Sequence, residues 1–310
     1  MNYSVLLSSL VFTLSIIFAN ASAFAGIGII NFVIAAFVTW VIEFVLIKIK
    51  CKPFELSSKR SVFINIIYVC IAVVLLLTLV AIFIVLQTTL TAVKVNDISF
   101  YSLLILLIIC CLMSFGIEKD SMIHVGRIIS YLIIGIMIIV LLNIPYELIS
   151  ISFGEIVIEE VMKLIPICLS HTLFILYLKF NYMKECIIGN IIGSLFLILL
   201  ILFVGSTDLH INNYDVTTLL SSMTLIGAGS LTERIDVFIV CMILAVEAYR
   251  ISIIGNILSK LCITYVNQFV MKLIVVTVVV VGILLGLSVM IVEMVLVFSG
   301  LLAALFSIAI

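Results

Sequence analysis

Residues 61–92 read SVFINIIYVCIAVVLLLTLVAIFIVLQTTLTA, a run without a single Asp, Glu, Lys or Arg. An α-helix rises about 1.5 Å per residue, so about 20 apolar residues cross a hydrocarbon core of about 30 Å. The run is continuously apolar. A transmembrane barrel strand instead needs alternation over about ten residues, which argues for helix despite the many Ile and Val residues. Working outward, breaks in hydropathy set off further apolar runs near 4–19, 24–47, 98–117 and 122–143. A second set lies near 157–179, 184–205, 234–258, 267–287 and 289–309. The fold expected from these runs is an all-α integral membrane protein with about ten transmembrane helices.

Composition points the same way. Of 310 residues, 66% are hydrophobic and 10% charged, with a mean hydropathy of +1.53. A soluble domain carries about 25% charged residues to cover its surface. The net charge of −1 offers no basic field for nucleic acid. Eight cysteines include no CxxC pair and no metal spacing with His, so they read as small buried hydrophobes. No metal and no cofactor is expected. The sequence lacks HExxH, GxSG and a GxGD element, and an enzyme is not expected.

Leu6 to Phe18 has the form of a signal-peptide core, and Ala21-Ser22-Ala23 that of a cleavage site. Met1 to Ser4 carries no Lys or Arg, however, so a retained first span is expected. With the N-terminus cytoplasmic, the inner loops and span ends receive Lys48, Lys50, Lys52, Lys59, Arg60, Lys119, Arg127, Lys179, Lys184, Lys260 and Lys272. Only Lys94, Lys163 and Arg234 fall outside, as the positive-inside rule requires. Both termini are then cytoplasmic. The two longer outer stretches, 143–156 and 205–231, are too short for soluble domains. The chain reads as one transmembrane domain, 1–310, with halves 1–143 and 157–310. Five spans per half give opposite topologies, the arrangement of five-plus-five inverted-repeat transporters.

Ionisable groups within such runs are costly and therefore informative. Glu43 lies close enough to Lys48 to reach the inner interface, Glu293 lies near an outer end, and Lys163 follows Glu159 and Glu160 at ion-pair spacing. The sixth run is different: Ile165-Pro166-Ile167-Cys168-Leu169-Ser170-His171-Thr172. Proline removes a backbone donor and opens or kinks the helix, and freed carbonyls must then be buried or line a cavity. Two readings stand. Ser170, His171 and Thr172 serve a polar ligand beside Pro166, or their hydroxyls bond back to carbonyls in a kinked packing helix.

In the eighth run, Glu247 and Arg250 are spaced i, i+3 and can pair. Depth counting puts Glu247 level with His171, which allows a proton relay or ligand contacts, or else an ion pair and an unrelated histidine. In the first run, Thr13, Ser15, Asn20 and Ser22 are the polar positions, and an inverted repeat makes this run the partner of the sixth. The candidate ligand residues are Pro166, Ser170, His171, Thr172, Glu247, Thr13 and Asn20.

Tyr214-Asp215-Val216-Thr217, followed by Gly229-Ser230-Leu231-Thr232-Glu233-Arg234-Ile235-Asp236-Val237-Phe238, resembles the spore germination permease family. These are the B subunits of Ger-type nutrient germinant receptors, within the amino acid–polyamine–organocation superfamily. Lys52-Pro53-Phe54 is similar to the basic-proline turn after that family's second span. Gly116-Ile117-Glu118, with Arg127 downstream, resembles its inner loop before the fifth. The resemblance implies a ten-span subunit that binds a small nutrient such as an amino acid within the bilayer. It also implies an A-type subunit and a lipoprotein C-type subunit as partners, in the inner membrane of a bacterial spore. Glu233, Arg234 and Asp236 carry over as the family motif, with gate or subunit contacts as their implied role. The alternative function is a secondary transporter of amino acids or similar solutes, with Glu247 or His171 as candidates for proton coupling.

Overall fold

The computed structural model describes residues 2–19, 29–48, 62–92, 97–143, 155–178, 182–204, 235–262 and 266–284. They form helices α1 (Tyr3–Ala19), α2 (Ile29–Lys48), α3 (Val62–Ala92), α4 (Asp97–Met113) and α5 (Lys119–Asn143). These are followed by α6 (Ile158–Leu169), α7 (Thr172–Tyr177), α8 (Met183–Val204), α9 (Ile235–Cys262) and α10 (Gln268–Leu284). Ile and Val dominate many of them although β-branched side chains are only moderate helix formers, so packing rather than propensity holds these segments helical.

Helix α1 is the centre of the arrangement. It packs against α8, α5 and α9 and also meets α6 and α3. Every side chain from Ser8 to Ile16 is buried, as a helix apolar all round requires. Helix α9 lies against α4, α3 and α5 as well as α1, while α2 packs on α6 and α8 and α10 packs on α3. The interior joins Phe12, Leu79, Ile82, Phe83, Ile133, Phe174, Val246 and Ile254 in one cluster. Within it Phe12 stacks on Phe174 at 5.2 Å between ring centroids. Outer faces carry exposed apolar side chains, among them Phe37, Phe44, Ile105, Leu106, Phe269 and Leu273. Apolar patches of this kind mark contact surfaces.

Local devices fix the joints. Gly116 adopts φ +84°, the left-handed conformation that glycine tolerates, and turns the chain from α4 into α5. Asn256 of α9 clamps that turn by donating to the carbonyls of Ser114 (2.8 Å) and Ile117 (2.9 Å). Asn31 of α2 holds the start of α6. Its amide donates to Glu160 Oε2 at 2.6 Å and to the Glu155 carbonyl at 3.1 Å, and its oxygen accepts the Val157 N–H at 3.0 Å. Lys163 pairs with Glu159 at 2.9 Å on the exposed face, and that hydrogen bond holds the Glu159 carboxyl below its ordinary range.

The expectation of about ten membrane-spanning helices is overturned. Among the described residues, one helical stretch is long and apolar enough to cross a membrane: Cys241–Leu261, with mean hydropathy 1.6 and 67% of it buried inside the protein. The other apolar helical stretches are Tyr3–Ile16, Ile30–Val45, Val69–Ile84, Leu104–Met113 and Gln268–Ile283, each of 10–17 residues. Each lies within a helix given above, such as α3, and by itself rises at most about 26 Å, short of a core of about 30 Å. The sixth expected span, 157–179, fails for a plainer reason: it is two helices, α6 of 12 residues and α7 of 6. In that run hydropathy merged two helices with the joint between them. The multi-pass integral-membrane localisation falls with the span count. So does the five-plus-five inverted repeat that rested on it.

Candidate functional site

The interruption between α6 and α7 organises a buried polar network. Pro166 is buried inside α6 and cannot donate to the carbonyl of Met162. One turn later the helix tightens, with the Ser170 N–H bonding to the Ile167 carbonyl at 3.1 Å and the His171 N–H to the Cys168 carbonyl at 3.2 Å. The Ser170 hydroxyl donates to the Ile167 carbonyl and the Thr172 hydroxyl to the Leu169 carbonyl, each at 2.7 Å. Two of the four candidates in this segment therefore serve the backbone of the joint itself.

His171, between them, is fully buried and turns inward. Its Nδ1 lies 2.7 Å from Glu43 Oε1 of α2, and its Nε2 lies 2.9 Å from Ser9 Oγ of α1. Glu43 Oε2 accepts from Asn190 Nδ2 of α8 at 3.0 Å. Thr13 of α1 completes the ring, its hydroxyl shared between Asn190 Oδ1 (3.2 Å) and the Ser9 carbonyl (3.1 Å). The network thus ties α1, α2, α8 and the α6–α7 joint together.

The hydrogen bonds assign the protons. Ser9 has one hydroxyl proton and gives it to the Cys186 carbonyl at 2.6 Å, an acceptor that cannot donate. His171 Nε2 must then carry a hydrogen and donate to Ser9 Oγ. Asn190 fills Glu43 Oε2. What remains is a single proton between His171 Nδ1 and Glu43 Oε1. The pair is net neutral whichever of the two atoms holds it, which removes most of the cost of burying a lone carboxylate there. Glu43 therefore does not reach an interface near Lys48, and His171 takes Glu43 as its carboxylate partner in place of Glu247.

Glu247 and Arg250 of α9 lie elsewhere in the interior, each about 1% exposed. The expected ion pair between them is not formed. Among the described residues neither Glu247 oxygen has a hydrogen-bond partner, and the Arg250 Nε has none. Arg250 Nη1 reaches the Ser15 carbonyl of α1 at 3.5 Å. Spacing i, i+3 puts the two on one side of the helix, but no ion pair closes between them.

Asn20, Glu233 and Arg234 lie outside the described residues, as do residues 214–217 and 229–232 of the family-like stretch. Asp236 lies in the first turn of α9. Sequence reasoning missed Ser9 and Asn190, and it placed Glu43 at the wrong end of its helix environment. A lone carboxylate inside the apolar run 24–47 was the available signal, and a histidine inside another run was its natural partner. Among the described residues no group of His, Cys, Asp and Glu could hold a metal ion. Comparison with models of known protein families and with curated proteins finds no match for this chain.

Proposed function

We propose that the chain is a nutrient-binding subunit of a germinant receptor, taking an amino acid or a similar small polar molecule among the buried charges of α9, beside α1. The observation that carries this reading is the Glu247 carboxylate, buried and without a hydrogen-bond partner one turn from an equally unpartnered Arg250 Nε. Burying a carboxyl and a guanidinium nitrogen without hydrogen-bond partners is unfavourable. A ligand that brings an ammonium to Glu247 and a carboxylate to Arg250 satisfies both at once. Arg250 also leans on the Ser15 carbonyl, so occupancy bears on α1, the helix that touches most of the others. The joint at Ser170 and His171 gives the assembly a place to hinge. Passing the event to A-type and lipoprotein C-type partner subunits requires tighter ligand binding to one arrangement than to the other.

A second reading, a proton-coupled secondary transporter of the same solutes, draws support from the single proton between Glu43 and His171. Uptake of labelled amino acid into proteoliposomes under a pH gradient separates it from the first. For the receptor reading, the test is a thermal-shift screen of the full chain with its partner subunits against single amino acids. A ligand at a hundred times its Kd stabilises by about 2.7 kcal/mol. A screen without any shift, in a complex that assembles normally, refutes the reading.

A further inference from the structure

Two carboxyl groups are buried among the described residues, Glu43 and Glu247, and their surroundings differ. Both Glu43 oxygens are met, one by His171 Nδ1 at 2.7 Å and the other by Asn190 Nδ2 at 3.0 Å. Neither Glu247 oxygen has a partner among the described residues, and no ion pair closes to Arg250 one turn along the same helix. A carboxylate placed there lacks the hydrogen bonds and the paired charge that would hold it ionised, so the neutral acid is the less costly form to bury. Arg250 has no such escape, because a guanidinium keeps its proton in proteins. Its Nη1 leans on the Ser15 carbonyl at 3.5 Å instead.

Few other charges bear on this carboxyl. Helices α1, α3 and α7, which pack against α9, carry no Asp, Glu, Lys, Arg or His. The other neighbours of α9 carry Asp97 on α4, Lys119, Asp120, His124 and Arg127 on α5, and Lys272 on α10. On α9 itself, Asp236 and Lys260 stand more than about 15 Å away along the axis. Among the described side chains Arg250 is the one charge that acts on Glu247. Burial acts more strongly than Arg250 does and pushes the carboxyl up to about 8. Burial likewise pushes the Cys110 and Cys111 thiols and the Tyr177 and Tyr249 hydroxyls up, so all four stay neutral near pH 7.

On the reading of Glu247 and Arg250 as an amino-acid site, we infer that Glu247 is protonated in the free protein and that a ligand ammonium takes the place of this proton, so that each amino acid bound releases one proton to the solvent. In the exchange the carboxyl O–H bond breaks and the proton passes to water. The carboxylate left behind accepts from the ligand's ammonium, while the ligand's carboxylate meets Arg250. A carboxylate ligand without an ammonium makes no such exchange, because it meets Arg250 and accepts from the Glu247 O–H as it stands. The site thereby sorts two classes of ligand by pH. While Glu247 is protonated, each unit of falling pH weakens an amino acid about tenfold and leaves a plain carboxylate unaffected.

Infrared difference spectroscopy of the full chain at pH 6.5, wild type minus Glu247→Gln, tests the first half by the carbonyl band of a protonated carboxyl. An equimolar mixture of the twenty standard amino acids is expected to remove that band and to release one proton per chain into a lightly buffered solution. Propionate is expected to leave the band in place and release none, and Glu247→Gln to release none with either. The proton count in wild type stands without the variant should Glu247→Gln fail to fold. For each amino acid of the mixture that binds, Kd is expected to fall about tenfold between pH 6 and pH 7, while that of propionate stays level or rises. Absence of the carboxyl band from the free protein, or amino-acid binding without proton release, overturns the inference and leaves the amino-acid site standing. Absence of any amino-acid binding, with the band present, refutes the site itself and the exchange with it.

Discussion

At the scale of single residues, the interior is organised by proton positions as much as by apolar contact. Because Ser9 commits its proton to the Cys186 carbonyl, His171 donates through Nε2 and shares one proton with Glu43 through Nδ1. A neutral glutamine at position 43 can meet the same demands, its amide donating to Nδ1 and its oxygen accepting from Asn190. Glu43→Gln is therefore expected to change stability by less than about 1.5 kcal/mol, whereas Glu43→Ala leaves His171 and Asn190 unsatisfied at a cost of about 3–5 kcal/mol. Denaturant titration of the two variants separates the outcomes, and equal destabilisation would contradict the proton assignment.

The same scale shows what the sequence made legible. Pro166 and the polar triplet after it marked a break in the sixth apolar run, and a break is there. The sequence could not show that Ser170 and Thr172 spend their hydroxyls on the carbonyls of the joint. Nor could it pair His171 with a carboxylate 128 residues away. Depth counting offered Glu247 for that role beside the reading of an unrelated histidine, since it compares positions along helix axes and carries nothing about which helices touch.

At the scale of elements, the contact between α1 and α8 controls the network. Gly189 and Gly193 lie one turn apart on α8 and face α1 at close range. A Cβ at Gly189 would come within 2.5 Å of the Leu6 carbonyl oxygen and 2.6 Å of Ser9 Cβ, and one at Gly193 within 3.0 Å of Thr13 Cβ. Small residues at this spacing allow helix backbones to approach closely. The approach is what lets Ser9 reach the Cys186 carbonyl and Thr13 reach Asn190. Gly189→Ala is expected to force the helices apart and cost about 1–3 kcal/mol, with the milder Gly193→Ala toward the low end. Thermal unfolding of both variants checks the order, and a Gly189→Ala protein as stable as wild type would contradict the close packing. The joint between α6 and α7 also explains why the expected sixth span is not a single helix. An apolar run records what a segment avoids, whereas helix length depends on where the backbone stops, and that was set here by His171 and its partners.

At the scale of the whole molecule, α1 is the keystone, buried along Ser8 to Ile16 and packed on α5, α8 and α9. Its amides are expected to exchange with solvent only through the largest opening of the structure, more slowly than those of α10, which packs mainly on α3. Hydrogen exchange by mass spectrometry reads this directly, and α1 peptides exchanging first would contradict it. Composition made the apolar helical character of the chain legible at once. The arrangement was not legible, because long-range contacts among helices of nearly uniform Ile, Leu and Val content leave little trace in pattern or period.

The central functional claim is that the unpartnered Glu247 carboxyl and the Arg250 guanidinium, whose Nε has no partner among the described residues, are the recognition groups of a small polar ligand. Its most direct test is calorimetric titration of wild-type protein, Glu247→Gln and Arg250→Gln with the amino acid that the thermal-shift screen selects. Losing one hydrogen bond to a charged group costs about 1.5–3 kcal/mol, so each variant is expected to bind about ten- to a hundredfold more weakly. Glu247→Gln should retain or gain thermal stability, because it removes a buried carboxylate without a partner. Wild-type affinity in both variants would contradict the claim.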